Sequence, residues 1–354
     1  KGLRFIIVYS ILAMLSLFII ASLFLSAKNS LETNSREQAR DDITTFSNVF
    51  LEETSKLSTD VFLIADLLSV HDSLVMNAGS TEFNSAYSKN IIQAEFLVWL
   101  EMKEAYDQIR VIDNLGQEIV RANYNSGDPM IVEESLLQNK ADRYYFQDAI
   151  SLYKQDLYMS VLDLNIENGS IEIVDSETKP MLRIATPIFN PAGVKLGIVV
   201  VNYLAGDLFD TLKKTERRIE NNIEIINEDG YYLYAADPSI EFGFMYDELS
   251  DEVFTKYHDY DVFSTKSGDI VLSTHKADYY TSIRISSDEL TSAVNKDGEE
   301  NLNIVFGSKE FIIFTKLNIR ENLIYQQALK LYIIIAITAL SLSLVMTRLI
   351  DESI

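Results

Sequence analysis

The residue types best suited to binding chemistry sit together in Arg143-Tyr144-Tyr145-Phe146. A guanidinium presents a planar fork of N–H donors that matches a carboxylate, and a charge-assisted hydrogen bond of this kind is worth about 1.5–3 kcal/mol. Rings beside it would close the walls of a small pocket. The same residues admit a second reading. Arg143 follows Asp142 and could brace its own helix, with Tyr145 and Phe146 serving as core. Two further charged residues stand in apolar surroundings. Arg183 alternates with Leu182 and Ile184 on a strand, which turns it to a pocket or to solvent, and solvent is the expected side. Asp163 is the other second-rank candidate.

Other chemistries find little support. Cysteine is absent, which removes thiolate nucleophiles, disulfides and zinc–sulfur sites. His71, His258 and His275 are scattered without metal-ligand spacing. Asp163-x-Asn165-x-Glu167-Asn168-Gly169 resembles a calcium loop, but its glycine is one place late and Val174 occupies the final acidic position, so it is rejected. Asn168-Gly169-Ser170 is a formal glycosylation sequon and is given no weight. No phosphate loop or nucleophile elbow occurs, so no catalytic residue, metal or cofactor is expected. The net charge of −23 repels phosphate backbones, which argues against nucleic-acid binding.

The candidate residues require a sheet and a helix to hold them. Tyr106–Ile112 and Gln117–Ala122 read as strands joined by a turn at Asp113-Asn114-Leu115-Gly116. Helical stretches follow at Glu133–Asn139 and Arg143–Leu152, then strands at Leu157–Val161, Ile171–Val174, Met181–Phe189 and Lys195–Asn202. Leu204–Ile219 reads as a connecting helix. A second round then starts with strands at Asn222–Asn227 and Tyr231–Ala236, continues through an irregular middle, 237–275, and ends with Thr281–Ile285, Leu302–Phe306 and Glu310–Leu317 finishing a second sheet. Upstream, Ala39, Ile43, Phe46, Phe50, Leu57, Val61, Ile64 and Leu68 recur at steps of 4, 3, 4, 7, 4, 3 and 4. This stripe predicts one long amphipathic helix reaching toward Gly79 that packs on its own domain and pairs with a second copy near its start.

Two apolar runs flank this region. No charge lies between Arg4 and Lys28, and the run from Phe5 to Ala27 exceeds the roughly 20 residues a bilayer requires. It is longer than the apolar core of a signal peptide, about 7–15 residues, and no A-x-A site follows, so anchoring is favoured over cleavage. The second run, between Lys330 and Arg348, is near the lower limit of about 17 residues and carries Tyr325 and Tyr332 at its outer end. Lys1, Arg4 and Arg348 favour cytoplasmic termini, which puts residues 28–328 outside. The chain starts without Met and stops at Ile354, so a cytoplasmic output module is expected to follow.

Across residues 106–205 the ordered stretches Gln108-Ile109-Arg110-Val111-Ile112-Asp113, Gly116-Gln117-Glu118-Ile119-Val120-Arg121, Leu137-Gln138-Asn139-Lys140, Arg143-Tyr144-Tyr145-Phe146, Tyr158-Met159-Ser160, Asp163-Leu164-Asn165, Pro187-Ile188-Phe189 and Gly197–Tyr203 resemble the double-Cache sensor family. The resemblance implies two PAS-like modules and a pocket in the membrane-distal one, beneath the helix carrying Arg143 and against the sheet. Amino-acid-binding members of that family carry an Arg, two aromatics, a later Tyr and an Asp on the last strand. Here Arg143 matches the Arg, Tyr145 stands where Trp is usual, and Phe146 takes the second aromatic place with loss of a hydroxyl. Tyr158 falls near the later Tyr with Ser160 beside it, and Asn202 falls at the Asp. Asn accepts a hydrogen bond but brings no negative charge. A small carboxylate without an amine therefore fits better than a standard amino acid. Some dicarboxylate sensor kinases are also similar through an Arg-x-Tyr-Phe stretch. Receptors of this arrangement are histidine kinases, diguanylate cyclases or chemotaxis receptors.

The expectation is thus an α+β chain: a long N-terminal helix and two tandem PAS-like Cache modules with antiparallel sheets, flanked by two transmembrane helices. The divisions are a first span at 1–27, a stalk at 28–72, a distal module at 73–205, a connector and proximal module at 206–325, a second span at 326–348 and the start of a cytoplasmic region at 349–354. The expected protein is a homodimeric, two-pass receptor of the bacterial inner membrane that binds an organic acid or amino-acid-like molecule through Arg143, Tyr145, Phe146, Tyr158, Ser160, Asp163, Arg183 and Asn202. It signals to a histidine kinase or diguanylate cyclase and is not itself an enzyme. The rival reading is a membrane-anchored protein-binding or assembly module without a small-molecule ligand.

Overall fold

A computed structural model describes residues 2–75, 86–167, 170–174, 177–249, 266–275, 278–296, 302–308, 310–317 and 321–352. Residues 41–316 form one compact unit, and residues 1–40 with 317–354 form another. Helix α1 (Gly2–Val75) runs from the second unit into the first, uninterrupted by proline or by any glycine after Gly2. Every residue of the predicted stripe, from Ala39 to Leu68, is buried. The next helix, α2 (Ala86–Met102), was not anticipated, although Ile92, Phe96 and Leu100 turn inward at the helical spacing of four.

The first sheet is eight-stranded. It contains β1 (Tyr106–Asp113), β2 (Glu118–Asn123), β3 (Met130–Ile131), β4 (Asp156–Met159), β5 (Asp163–Leu164), β10 (Pro180–Phe189), β11 (Lys195–Leu204) and β16 (Asn303–Phe306). Its order is β16-β4-β10-β11-β1-β2-β3, with β5 paired to β10. Two small hairpins, β6–β7 (Ile166–Glu167, Ser170–Ile171) and β8–β9 (Ile173–Val174, Glu177–Thr178), stand between β5 and β10. The β1–β2 turn is the predicted one. Asp113 Oδ1 accepts from the Leu115 and Gln117 amides at 2.8 Å each, and Gly116 sits at φ +83°, where a Cβ would lie 2.5 Å from the Ala141 nitrogen. Helix α3 (Tyr144–Ser151) follows close to its predicted bounds. The stretch expected as helix from Glu133 to Asn139 is only a single 3-10 turn, Glu134–Leu136, because none of its residues is buried and packing gives a longer helix nothing to gain.

Helix α4 (Ala205–Glu216) leads to a five-stranded sheet ordered β13-β12-β17-β15-β14. Its strands are β12 (Glu224–Asn227), β13 (Tyr232–Tyr234), β14 (Val271–His275), β15 (Asp278–Ser286) and β17 (Glu310–Lys316). Between β15 and β16 lies α5 (Ser287–Val294), begun by a capping box of Ser286 and Glu289. The strand expected to complete this second sheet, Leu302–Phe306, does otherwise. As β16 it pairs in parallel with β4 of the first sheet, Asn303 opposite Asp156 and Phe306 opposite Met159. That pairing satisfies the edge of β4 and buries Ile304 and Phe306.

The main core is continuous through the 41–316 unit. It joins Phe46, Phe50 and Ile64 of α1 to Ile109, Val111 and Val201 of the first sheet and Ile225 and Ile313 of the second. Tyr106 pins α1 to β1 through a hydrogen bond from its hydroxyl to Asp60 Oδ2, 2.5 Å long. A smaller core on the opposite face of the first sheet packs Ile112, Tyr158, Ala185, Ile198 and Val200 against Tyr145, Phe146, Ala149 and Leu152.

In the other unit, α1 contains an exposed apolar stretch long enough to cross a membrane. The final helix, α6 (Glu321–Glu352), contains a shorter apolar segment, Leu329–Ser343. Gly79, His258, Asn168 and Gly169 lie outside the described residues.

Candidate ligand-binding site

Alternation along the strands decides which side chains meet α3. Arg183 and Gln108 are both cross-strand partners of Asn202, and Arg110 and Ala185 are partners of Val200. Residues at every second position share a face. Arg110, Asn202 and Arg183 therefore join Val200 and Ala185 on the side covered by α3, while Ile109, Val201 and Ile184 turn to the main core.

Arg183 corrects its expected exposure: only 5% of it reaches solvent. Both faces of this sheet are covered, so alternation assigns it to a face without leaving either face wet. Its Nη1 donates to Asp163 Oδ1 at 2.6 Å and to the Tyr144 hydroxyl at 3.2 Å, and its Nη2 to Asn165 Oδ1 at 3.3 Å. Ser160 clamps the same strand. Its Oγ accepts from the Arg183 amide at 2.9 Å, and its own amide donates to the Arg183 carbonyl at 2.8 Å. Burial pushes the Asp163 carboxyl above its ordinary value, and the Arg183 guanidinium offsets this only in part. Burial also raises the hydroxyls of Tyr144 and Tyr158.

A second buried arginine was not singled out from the sequence. Arg110 is 4% exposed; its Nη2 donates to Asn202 Oδ1 at 2.6 Å and its Nη1 to the Tyr145 hydroxyl at 3.1 Å. Its guanidinium also stands 5.3 Å from the Tyr145 ring centroid, within cation–π range. Glu118, equally overlooked, is buried beside it, with Oε1 3.6 Å from Arg110 Nη1 and Oε2 accepting from the Gln138 amide at 3.0 Å. The available signal was a charge set among Ile109, Val111 and Ile112 on one strand.

Tyr145, Phe146, Tyr158, Ser160, Asp163, Arg183 and Asn202 thus gather between α3 and the sheet. Arg143 stands at the rim. It is the N-cap residue of α3, exposed, and its side chain makes no capping hydrogen bond. Its charge still reaches the site and helps to lower the Asp163 carboxyl. Among the described residues no group of three or more His, Asp or Glu could hold a metal ion.

The sequence matches the family model for the sensor domain of bacterial histidine kinases over residues 49–260. No curated protein sequence matches it significantly. Among solved structures, the extracellular domain of vpHK1S-Z8, assigned as a histidine kinase, is similar at 20% identity and TM-score 0.58, covering 84% of this chain and 96% of that one. A domain assigned to the sensory box/GGDEF family from Vibrio parahaemolyticus is similar at 21% identity and TM-score 0.58, covering 80% and 97%. The ligand-binding domain of the Campylobacter jejuni chemoreceptor Tlp3, solved with L-valine, is similar at 10% identity and TM-score 0.50, covering 82% and 94%. These likenesses extend the fold to sensor domains feeding different outputs.

Proposed function

Because the chain belongs to the family of bacterial histidine kinase sensor domains, we propose that it is the extracytoplasmic sensing region of a two-pass receptor in the bacterial inner membrane. A small organic acid or amino-acid-like molecule binds between α3 and the first sheet, in the membrane-distal part of the chain. The apolar stretches of α1 and α6 cross the bilayer and carry the response to a cytoplasmic histidine kinase or diguanylate cyclase in a homodimer. The divisions at 1–27, 28–72, 73–205, 206–325 and 326–348 follow from that reading.

The observation that carries it is the convergence of Arg110, Arg183, Asn202, Ser160 and two tyrosine hydroxyls on one buried face. Arginine is rarely fully buried, and a few convergent polar groups among apolar and aromatic side chains are what small-molecule sites use. Tlp3, related only in fold, was solved with an amino acid, which supports the ligand class. The energy suffices: micromolar binding supplies about 8 kcal/mol, and a full two-state switch needs about 5.5 kcal/mol of differential affinity.

The test is calorimetric titration of the whole chain in lipid nanodiscs with a panel of amino acids, organic acids and amines. One class binds, and Arg143→Ala and Tyr145→Phe each weaken it. A ligand whose affinity is untouched by both substitutions binds elsewhere, and a panel without heat rejects the reading.

A further inference from the structure

Two polar atoms on the α3 face have no hydrogen-bond partner among the described residues, Arg110 Nε and Glu118 Oε1. Both side chains are well over nine-tenths buried. Their other atoms are engaged: Arg110 through Tyr145 and Asn202, Glu118 through the Gln138 amide. The facing Nη1 and Oε1 are 3.6 Å apart, close enough to attract and too far to share a proton. A buried donor and a buried acceptor thus stand unfilled on two side chains that face each other, each costing about 1–3 kcal/mol until it is met.

The surrounding charge says what meets them. Arg183 is matched by Asp163. Glu118 is outnumbered: Arg110 faces one of its oxygens, and Arg121 Nη1 lies 4.0 Å from the other. Lys140 lies within electrostatic range of Arg110, Arg121, Arg143 and Glu118. Arg110, Arg121 and Lys140 thus act on one carboxylate and leave a positive surplus, in a chain whose net charge is −23. A monoanion relieves that surplus and a zwitterion does not.

We propose that Arg110 and Glu118 are the ligand-recognition pair and that the ligand is a 2-hydroxycarboxylate. Its carboxylate accepts from Arg110 Nε, and the adjacent hydroxyl donates to Glu118 Oε1. The pair then uses both unfilled groups, and Asn202, an acceptor without charge, orients Arg110 and leaves no demand for an ammonium. This rests on the α3 face being the ligand pocket.

The experiment compares three molecules of nearly one shape, L-lactate, L-alanine and propionate, by calorimetric titration of the whole chain in nanodiscs. L-Lactate binds at least about tenfold more tightly than propionate, the difference one hydrogen bond to a charged group makes. L-Alanine binds no better than propionate. Arg110→Lys keeps the charge but removes Nε, and weakens lactate and propionate about equally. Glu118→Gln keeps the shape and narrows the lactate-to-propionate ratio. Equal binding of lactate and propionate overturns the role of Glu118, and tighter binding of alanine overturns the charge argument. Unchanged affinity in Arg110→Lys overturns the role of Arg110. Silence from all three overturns the ligand class. A different molecule that binds and is weakened by Tyr145→Phe leaves the pocket itself in place.

Discussion

Replacing Arg183 by methionine separates the two roles a buried arginine can have. The substitution keeps much of the side-chain volume and removes the charge. Asp163, whose side chain is only 17% exposed, loses a partner 2.6 Å away, and Tyr144 and Asn165 lose a shared donor. Breaking a buried pair by removing one member costs about 3–5 kcal/mol, because the remaining charge is left without compensation. The cost depends on pH. Burial already raises the Asp163 carboxyl and Arg183 is the main counterweight, so the variant raises it further. A carboxyl raised in the folded state binds more protons folded than unfolded. Stability therefore falls as pH climbs from the unfolded carboxyl range through the folded value, and is level above it. The deficit of Arg183→Met is thus largest at neutral pH and shrinks toward about pH 4. Adding Asp163→Leu removes the stranded charge and restores much of the loss. Urea unfolding of the 41–316 unit within the whole chain, followed by circular dichroism between about pH 4 and pH 8, reads all three quantities. A single variant within about 0.5 kcal/mol of the parent, or a deficit that neither acid nor the second substitution relieves, refutes the reasoning.

Two other perturbations follow from local geometry. At Gly307 a Cβ would lie 2.5 Å from the Tyr158 hydroxyl and 3.2 Å from the Val161 nitrogen, so Gly307→Ala displaces a site tyrosine from the end of β16. Overpacking of this kind costs about 1–3 kcal/mol, and both the unfolding midpoint and ligand affinity drop; unchanged values for both contradict the packing. Glu289 is subject to burial, but hydrogen bonds from Ser267 and Ser286 prevail and hold its carboxyl below the ordinary value. Its contribution is present above the unfolded carboxyl value and disappears as pH falls through the lowered folded one, so Glu289→Gln lowers the melting temperature at neutral pH and changes it little in acid, read by thermal melts across that range.

What the sequence made legible follows the range of the forces involved. The α1 stripe, the β1–β2 turn and the paired strands Met181–Phe189 and Lys195–Asn202 depend on local periodicity and turn chemistry, and all lie close to where they were expected. Helix α2 is legible through Ile92, Phe96 and Leu100, which recur at the spacing of one helical face. Arg183 was turned the wrong way because a charge on an alternating strand reads as solvent-facing only where one face is open. Here α1 covers one face and α3 the other. Arg110 was lost for the same reason, and Glu118 because a bulge between Val111 and Ile112 shifts its register. The four residues of β16 contain nothing that distinguishes one sheet edge from another; their partner is 147 residues away at Asp156.

That distant pairing alters what the tandem arrangement means. A boundary near residue 205 divides the chain into strand–helix–strand units that look separable, yet β16 completes the edge of the first sheet and a shared core runs along α1 through both. Cutting the chain there would leave β4 with unpaired N–H and C=O groups along the strand that carries Tyr158, and an exposed edge of that kind invites pairing with another chain. The same hydrogen bonds couple the two halves. A ligand that shifts β4 must either carry β16 with it or break their ladder. From β16 the chain enters β17, the central strand between β12 and β15 of the second sheet. Movement at the candidate site therefore has a continuous backbone route into the second sheet that bypasses α4, the helix a sequence-based boundary would make the sole connector.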